Sequence, residues 1–264
     1  MKRFLVIVST LVLFAGTTNL WAWSAMSGIG HHCAAYIAEQ HLTPEAKAKC
    51  EAYLQHSFVF YAGWMDQWRH IKPFEETSVW HAVWVDKNWK LDRSKQRFAE
   101  YQSERIWKEM KDYKNLPDSL VRQNLIFLIH MVPDFHCPVH VHGSKADFPE
   151  HYYALRKNGR KFGLHTFWDR APGFHREGWT IERYAKEVDV ISPKVAKKWQ
   201  KGNVIKWAKD SAKQAKRAYE ITPANIEITK MSDEEIKSVH ALADEMILKG
   251  GYRLAQIIND IFKK

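Results

Sequence analysis

The stretch IHMVPDFHCPVHVH, residues 129–142, holds four histidines, one aspartate and two prolines, and most of its remaining side chains are apolar. His130 and Asp134 are four residues apart, a spacing that places two side chains on one face of an α-helix. Burying imidazole and carboxylate groups is unfavourable unless they are paired or coordinated. The stretch therefore predicts a buried site at which these groups share a metal ion.

A second pair with the same spacing, His165 and Asp169, follows in GLHTFWD. One such pair alone is usually an incidental contact, but several in apolar surroundings favour a metal cluster. Nitrogen and carboxylate ligands without thiolate are typical of zinc in an open, catalytic site. There are three further candidate ligands: Asp66 in YAGWMDQWRH, His81 in VWHAVWVD and His140 in the opening stretch.

Elsewhere the apolar residues recur with helical periodicity, and no stretch alternates convincingly with the period of two of a half-buried strand. The sequence predicts an all-α fold in a single domain. Thr43 and Pro44 mark one helix start, and Pro133 is expected to end or kink the helix between His130 and Asp134. The predicted helices cover residues 31–41, 44–54, 57–70, 91–113, 118–131, 180–187, 194–219 and 233–262, and residues 133–174 are mostly loop apart from a short helix near residue 165.

The N-terminus has the pattern of a secretory signal peptide. Lys2 and Arg3 precede an apolar run that is too short to span a bilayer, and no second run follows. We expect cleavage after Ala22, giving a signal peptide over residues 1–22 and a mature domain over residues 23–264. The mature protein is then an exported monomer, periplasmic or secreted, without a stable membrane span. Cleavage lowers the formal net charge from +10 to +8, because it removes two basic residues and no acidic one. The positive charge that remains favours a polyanionic partner.

The three cysteines of an exported chain permit one disulfide. Cys33 and Cys50 are the favoured pair because they lie on consecutive predicted helices, whereas Cys137 lies inside the histidine cluster.

The segment after Pro193 is strongly basic and carries Trp199 and Trp207. Such a run is usually a solvated helix face, and a nucleic-acid track is the alternative interpretation. Its basic residues are Lys194, Lys197, Lys198, Lys201, Lys206, Lys209, Lys213, Lys216 and Arg217.

Five segments together resemble the ordered motifs of the S-one/P-one (S1/P1) nucleases, exported zinc enzymes that share a fold with bacterial zinc phospholipase C. They extend from Trp23 to Asp169 in the order found in that family. The segments are WSAMSGIGHH (23–32), GWMDQWRH (63–70), VWHAVWVD (79–86), FLIHMVPDFHCPVHVHG (127–143) and GLHTFWD (163–169).

The resemblance implies a helical fold whose cleft binds three Zn²⁺ ions. Asp134 would bridge two of them, and the amine of Trp23 would be free to bind only after cleavage of the signal peptide. His136 and His142 fall outside this ligand set and are expected beside it or facing solvent, with His142 a candidate substrate contact. The implied ligands are Asp66, His81, His130 and Asp134 for the first ion, His140, His165 and Asp169 for the second, and His31, Asp134 and the backbone amine and carbonyl of Trp23 for the third.

The implied enzyme is a zinc-dependent hydrolase of phosphate esters, an endonuclease and 3′-nucleotidase. Its substrates would be single-stranded RNA or DNA, cleaved to 5′-phosphorylated products, and nucleotides. Asp66 would orient the attacking water and act as its base, and Arg69 would pair with the phosphate. Two departures, Ala82 in place of a base-stacking aromatic residue and DFPEH (147–151) in place of Asp-x-Gly-Gly-Asn, leave two alternatives open. These are a zinc phospholipase C acting on phospholipid head groups and a zinc-binding or substrate-binding relative without turnover.

Overall fold

The computed structural model describes residues 29–92, 94, 96–146, 148 and 154–263. The predicted signal peptide, Trp23 and most of the DFPEH segment lie outside these residues. Helices dominate the described part of the chain, which confirms the predicted all-α fold. Among the helices described there, none combines the length and apolar character needed to cross a bilayer.

The regular elements follow one another along the chain with short connections. The α-helices are α1 (Ile29–Gln40), α2 (Pro44–Leu54), α3 (Phe58–Tyr61), α4 (Trp64–Trp68), α5 (Ala99–Met110), α6 (Asp118–Asp134), α7 (Leu164–Arg170), α8 (Ile181–Val188), α9 (Pro193–Gln200), α10 (Val204–Ile221) and α11 (Asp233–Phe262). The strands are β1 (Val83–Trp84), β2 (Val141–His142), β3 (Ala154–Lys157) and β4 (Arg160–Gly163), and 3₁₀ segments include Glu75–His81 and Pro138–His140.

The long helix α11 organises the packing of the other helices. Ser232 caps it in a capping box with Glu235, and its second half is almost entirely buried. Helix α1 crosses α11 at Gly251, where a Cβ atom would lie 2.8 Å from Ile37 Cγ2 and 2.9 Å from the Ala34 carbonyl oxygen. Only glycine permits this approach, which fixes α1, and the histidine near its start, against the core.

Helix α6 continues through Pro133 and ends at Asp134, so the predicted break between His130 and Asp134 is wrong. Proline removes one backbone donor and crowds the preceding turn, but this cost falls on the last turn of the helix. Gly250 of α11 packs against the same turn, since its Cβ would lie 3.4 Å from Pro133 Cα. The helix therefore keeps both candidate ligands on one face.

Three predicted helices are shorter or divided. Gly63 separates α3 from α4 with a non-helical backbone, and Gly202, with φ of 125°, separates α9 from α10. The helix expected from residue 91 begins at Ala99. Within that stretch, the Asp92 carboxylate accepts from the backbone N–H and the hydroxyl group of Ser94 and stabilises a turn instead.

Two short sheets were absent from the prediction. Strands β3 and β4 form an antiparallel hairpin around Asn158 and Gly159, whose φ angles of 51° and 73° suit a two-residue turn. Strands β1 and β2 pair in parallel, with Val83 opposite Val141 and Trp84 opposite His142. This second ladder brings two segments of the candidate site together.

The predicted disulfide between Cys33 and Cys50 is wrong, because both thiols are free and buried. Cys33 packs with Tyr184 and Ile247 in one apolar cluster, whereas Cys50 belongs to the larger cluster around α6. Consecutive helices therefore direct the two sulfur atoms into different parts of the core.

The basic segment on α9 and α10 forms a solvent-exposed helix face, the first of the two interpretations of its sequence. Its lysine and arginine side chains are exposed, whereas Trp207 is only 1% exposed and packs in the core. Trp207 stacks on Trp107, with ring centroids 5.8 Å apart, and does not present a face to a nucleobase. The segment therefore contributes positive charge without an aromatic stacking track at this residue.

Glu100 is fully buried in α5, and neither of its carboxylate oxygens has a hydrogen-bond partner among the described residues. Burial raises the pKa of Glu100 to about 8. The native state therefore favours the neutral form of Glu100. The contribution of this group to the free energy of unfolding is fully present below about pH 4.5 and is lost as the pH rises through 8.

Replacing Glu100 by glutamine removes this titration. We expect the Glu100→Gln variant to gain stability relative to the parent between pH 5 and pH 8, reaching roughly 3–5 kcal/mol at alkaline pH. Denaturant unfolding at several pH values measures the difference, with Glu109→Gln on the same helix as the control. Parallel stability curves for the parent and the Glu100→Gln variant would contradict the assignment.

Candidate metal centre

Helix α6 supplies the two most buried candidate ligands, His130 and Asp134, which are 0% and 1% exposed. His130 Nδ1 donates to the Ala62 carbonyl oxygen at 2.7 Å. This bond fixes the tautomer and leaves the lone pair of Nε2 facing His81 Nδ1 at 2.9 Å and Asp134 Oδ2 at 3.8 Å. A ring held through one nitrogen, with the other nitrogen directed towards further candidate ligands, is the arrangement typical of metal-binding histidines.

The Asp134 carboxylate lies at the centre of the cluster. Its Oδ1 atom is 2.8 Å from His31 Nε2 and 2.5 Å from His140 Nδ1. Its Oδ2 atom is 3.4 Å from His81 Nδ1. Because three helical or 3₁₀ segments direct imidazoles at one buried carboxylate, Asp134 has the position of a bridging ligand.

The parallel ladder of β1 and β2 positions two of these imidazoles. His81 ends the 3₁₀ segment before β1, and His140 ends the 3₁₀ segment before β2. Pairing of Val83 with Val141 therefore holds both histidines at the same end of the ladder, beside the end of α6.

Helix α7 presents His165 and Asp169 one turn apart, as their spacing predicts. Asp169 Oδ1 lies 3.1 Å from His140 Nε2, and Asp169 Oδ2 lies 3.2 Å from His165 Nε2. The side chain of His165 is 57% exposed, so this side of the cluster opens to solvent. His140 connects the α7 pair to Asp134.

Asp66 on α4 completes the cluster at its solvent-exposed edge. Its Oδ1 atom lies 3.5 Å from His81 Nδ1 and 3.4 Å from Arg69 Nη1. The Asp66 carboxylate is 43% exposed, unlike the buried Asp134. A carboxylate and a guanidinium are thus within reach of a molecule that approaches from solvent.

Several nitrogen and oxygen atoms of the cluster are buried without a hydrogen-bond partner among the described residues. They are His81 Nε2, Asp134 Oδ2 and His140 Nδ1. Buried polar atoms in native proteins are almost always satisfied. His140 Nδ1 lies close to Asp134 Oδ1 without the alignment of a hydrogen bond, so this contact does not satisfy the nitrogen. The donor set therefore fits divalent cations.

The candidate ligand atoms fall into three groups, within each of which they lie no more than 4.8 Å apart. His130 belongs to two of the groups, so neighbouring cations would share this part of the cluster. The groups are His31, His130 and Asp134; Asp66, His81 and His130; and Cys137, His140 and Asp169.

The model of the S1/P1 Nuclease family matches residues 26–263, nearly the whole chain. The chain belongs to the S1/P1 nuclease family. Among curated proteins, none matches the chain closely enough to count as a relative. Membership supports a nuclease function, the hydrolysis of phosphodiester bonds in nucleic acid, in a family that is generally zinc-dependent.

Two buried ligands of the cluster, Asp134 and His130, have pKa shifts that favour metal binding. Burial alone would raise the pKa of Asp134, but the charge of His140 and the hydrogen bond from His31 hold it well below its usual value. Burial lowers the pKa of His130 to about 3, and His31 adds to this effect. Asp134 is therefore ionised and His130 neutral, the protonation states that metal ligands require.

His136 is neither solvent-facing nor part of the cluster. It is 1% exposed, its Nδ1 donates to the Val132 carbonyl oxygen at 2.6 Å, and its Nε2 accepts from Arg253 Nη1 at 2.8 Å. Burial and the charge of Arg253 hold the pKa of His136 well below its usual value, so the ring is neutral. Arg253 in turn donates to Asp210 at 2.7 Å. This network anchors the end of α6 to α11 and α10.

Removing the His136 ring would leave a buried guanidinium donor without its acceptor. We expect the His136→Ala variant to lose about 2–3 kcal/mol of stability, and about 10-fold to 100-fold in zinc affinity because the helix end that carries Asp134 is less well held. Thermal unfolding and competition with a zinc chelator measure the two effects. The matched control is His56→Ala, on an exposed side chain, which should change neither quantity.

The structure brings together the eight predicted ligands that lie in its described part, whereas Trp23 lies outside it. Ala82 lies between His81 and β1, and half-buried His142 belongs to β2. One candidate ligand was missed, because Cys137 was considered only for disulfide pairing. Its position three residues before His140, inside the histidine cluster, is the sequence signal that points to it.

Proposed function

We propose that the protein is an exported, zinc-dependent phosphodiesterase that cleaves single-stranded RNA or DNA to 5′-phosphorylated products and also hydrolyses 3′-nucleotides. The observation that carries the proposal is the convergence of imidazole nitrogens of His31, His81 and His140 on the buried carboxylate of Asp134. Burying these polar groups in an apolar core is unfavourable unless they are coordinated, and several metal ions would coordinate them.

The proposed centre binds three Zn²⁺ ions with Asp134 as the shared ligand. Trp23, as the N-terminal residue of the mature chain, would provide a backbone amine and carbonyl beside His31. The proposed ligand sets are Asp66, His81, His130 and Asp134; His140, His165 and Asp169; and Trp23, His31 and Asp134.

Zinc ions bound there would supply a water activated near neutral pH and Lewis-acid polarisation of the phosphodiester. Asp66 is placed at the solvent edge, where its carboxylate can accept the proton of the attacking water. Arg69 lies beside it and would donate hydrogen bonds to the phosphate oxygens, offsetting charge that develops during attack. His130 and His81 remain behind these groups and hold the cations.

A direct test is to incubate the purified mature protein with single-stranded DNA, RNA, a 3′-nucleotide and phosphatidylcholine vesicles, with zinc and with excess chelator. We expect nucleic acid and 3′-nucleotide to be hydrolysed only with zinc. Products carrying 5′-phosphate identify the bond that is cleaved. Zinc binding without hydrolysis of any substrate would instead favour a relative that lacks turnover.

One observation is compatible with the phospholipid alternative as well as with a nucleic-acid substrate. Three large apolar side chains, Phe60, Trp68 and Ile71, are 61%, 39% and 51% exposed in the segment that contains Asp66. Exposed apolar residues beside a catalytic cleft suit contact with a lipid surface, and equally the stacking of nucleobases. Zinc-dependent hydrolysis of the vesicles in the same experiment, with nucleic acid left intact, would establish the alternative.

The proposed role of Trp23 depends on cleavage of the signal peptide after Ala22. We expect a protein that retains one additional residue before Trp23 to lose one equivalent of zinc and most of its activity, because the amine becomes a peptide nitrogen. Elemental analysis and activity measurements compare it with the protein that begins at Trp23. Equal zinc content in the two proteins would exclude the amine as a ligand.

A further inference from the structure

Cys137 differs from the other two cysteines in its surroundings. Cys33 and Cys50 are 0% and 4% exposed and pack among apolar side chains. Cys137 is only partly buried, and its thiol donates to Asp169 Oδ1 at 3.7 Å. The sulfur therefore faces a candidate metal ligand.

The distances around Cys137 match those between ligands of one cation. Cys137 Sγ, a His140 ring nitrogen and an Asp169 oxygen all lie within 4.8 Å of one another. Tetrahedral zinc has bonds of roughly 2.0–2.2 Å to nitrogen and oxygen and about 2.3 Å to sulfur, which separates its ligands by about 3.3–3.7 Å. The observed separations of 3.1 Å between His140 Nε2 and Asp169 Oδ1, and 3.7 Å between Asp169 Oδ1 and the sulfur, are close to these values.

We propose that the Cys137 thiolate is a fourth protein ligand of the cation bound by His140, His165 and Asp169. The inference rests on the proposed zinc centre and adds a residue to it. On binding, the S–H bond breaks, the proton passes to solvent and a sulfur–metal bond forms, without oxidation or reduction. The thiolate and the Asp169 carboxylate together balance the charge of a divalent cation.

A fourth ligand changes what this cation does. Catalytic zinc sites usually have three protein ligands and an open position, whereas four ligands close the coordination shell. The cation at Cys137 would therefore be bound more tightly than a cation held by three protein ligands. Sulfur also shifts the preference of the site towards thiophilic metals such as zinc and cadmium, and away from magnesium and manganese.

Cobalt substitution tests the sulfur–metal bond directly. The full mature protein is stripped with chelator and reloaded with Co²⁺, and its metal content and near-ultraviolet spectrum are recorded together. We expect a sulfur-to-cobalt charge-transfer band in the parent protein and in Cys50→Ala, but not in Cys137→Ser or Cys137→Ala. Loss of the thiolate should also weaken Co²⁺ binding at this site by at least about 10-fold.

The outcomes separate this inference from the proposed function. Full cobalt loading of the parent without a charge-transfer band would overturn the role of Cys137 and leave the metal centre intact. Failure of the parent to bind cobalt or zinc would overturn both. A Cys137→Ser variant that retains the band would assign it to another sulfur and contradict the inference, and far-ultraviolet circular dichroism confirms that each variant is folded.

Discussion

Replacing Asp134 by asparagine is expected to lower phosphodiesterase activity by at least about 10³-fold. The substitution preserves the shape of the side chain but removes its negative charge. Asp134 Oδ1 lies 2.8 Å from His31 Nε2 and 2.5 Å from His140 Nδ1. An amide in this position would be a much weaker bridging ligand, so the cluster should lose more than one metal ion.

The Asp134→Asn experiment requires zinc content and activity on single-stranded DNA to be measured on the same preparation. The matched control is Asp118→Asn, which changes an exposed carboxylate at the start of the same helix. The Asp118→Asn control should have the zinc content and the activity of the parent protein. Full zinc content and undiminished activity in Asp134→Asn would exclude a bridging role.

Replacing Asp66 by asparagine is expected to reduce kcat by about 10²-fold to 10⁴-fold, the range for loss of a general base. Asp66 is the half-exposed carboxylate of the cluster, beside Arg69 and His81. Since Asp134 and the other buried ligands remain, zinc content should fall by no more than one equivalent. The expected result is therefore a protein that retains most of its metal and little of its activity.

The control for Asp66→Asn is Glu76→Gln, which removes an exposed negative charge from the neighbouring 3₁₀ segment. Rates measured at saturating substrate separate loss of catalysis from loss of binding. Activity of Asp66→Asn within a few-fold of the parent would show that another group accepts the proton.

The metal centre could be predicted from the sequence because its chemistry restricts residue type and spacing. His130 and Asp134, and likewise His165 and Asp169, are pairs whose four-residue spacing places both side chains on one helical face. The resemblance to the S1/P1 nucleases then associated these pairs with His31, Asp66 and His81. The structure brings these residues together from segments far apart in the chain.

Local turn chemistry explains most of the errors in the predicted fold. Asn158-Gly159 is a hairpin signal that was present but was overlooked within a segment interpreted as loop. Asp92 stabilises a turn with Ser94 where the helical pattern predicted a helix. Pro133 had the opposite effect, because a proline expected to break α6 lies in a final turn supported by Gly250.

Other features depend on long-range contacts that no local pattern reveals. His136 contacts Arg253, which is 117 residues away, and this contact assigns it a supporting role. The separation of Cys33 from Cys50 likewise depends on how α1 and α2 face different parts of the core. Such contacts require the packed structure because no periodicity or spacing specifies them.

The most direct test of the central claim is anomalous diffraction from crystals of the mature protein grown with zinc. Data collected above and below the zinc absorption edge should reveal three peaks around Asp134, one beside His81 and His130, one beside His165 and Asp169, and one beside His31. Absence of these peaks from a zinc-containing crystal, or peaks only at surface residues away from Asp134, would contradict the account.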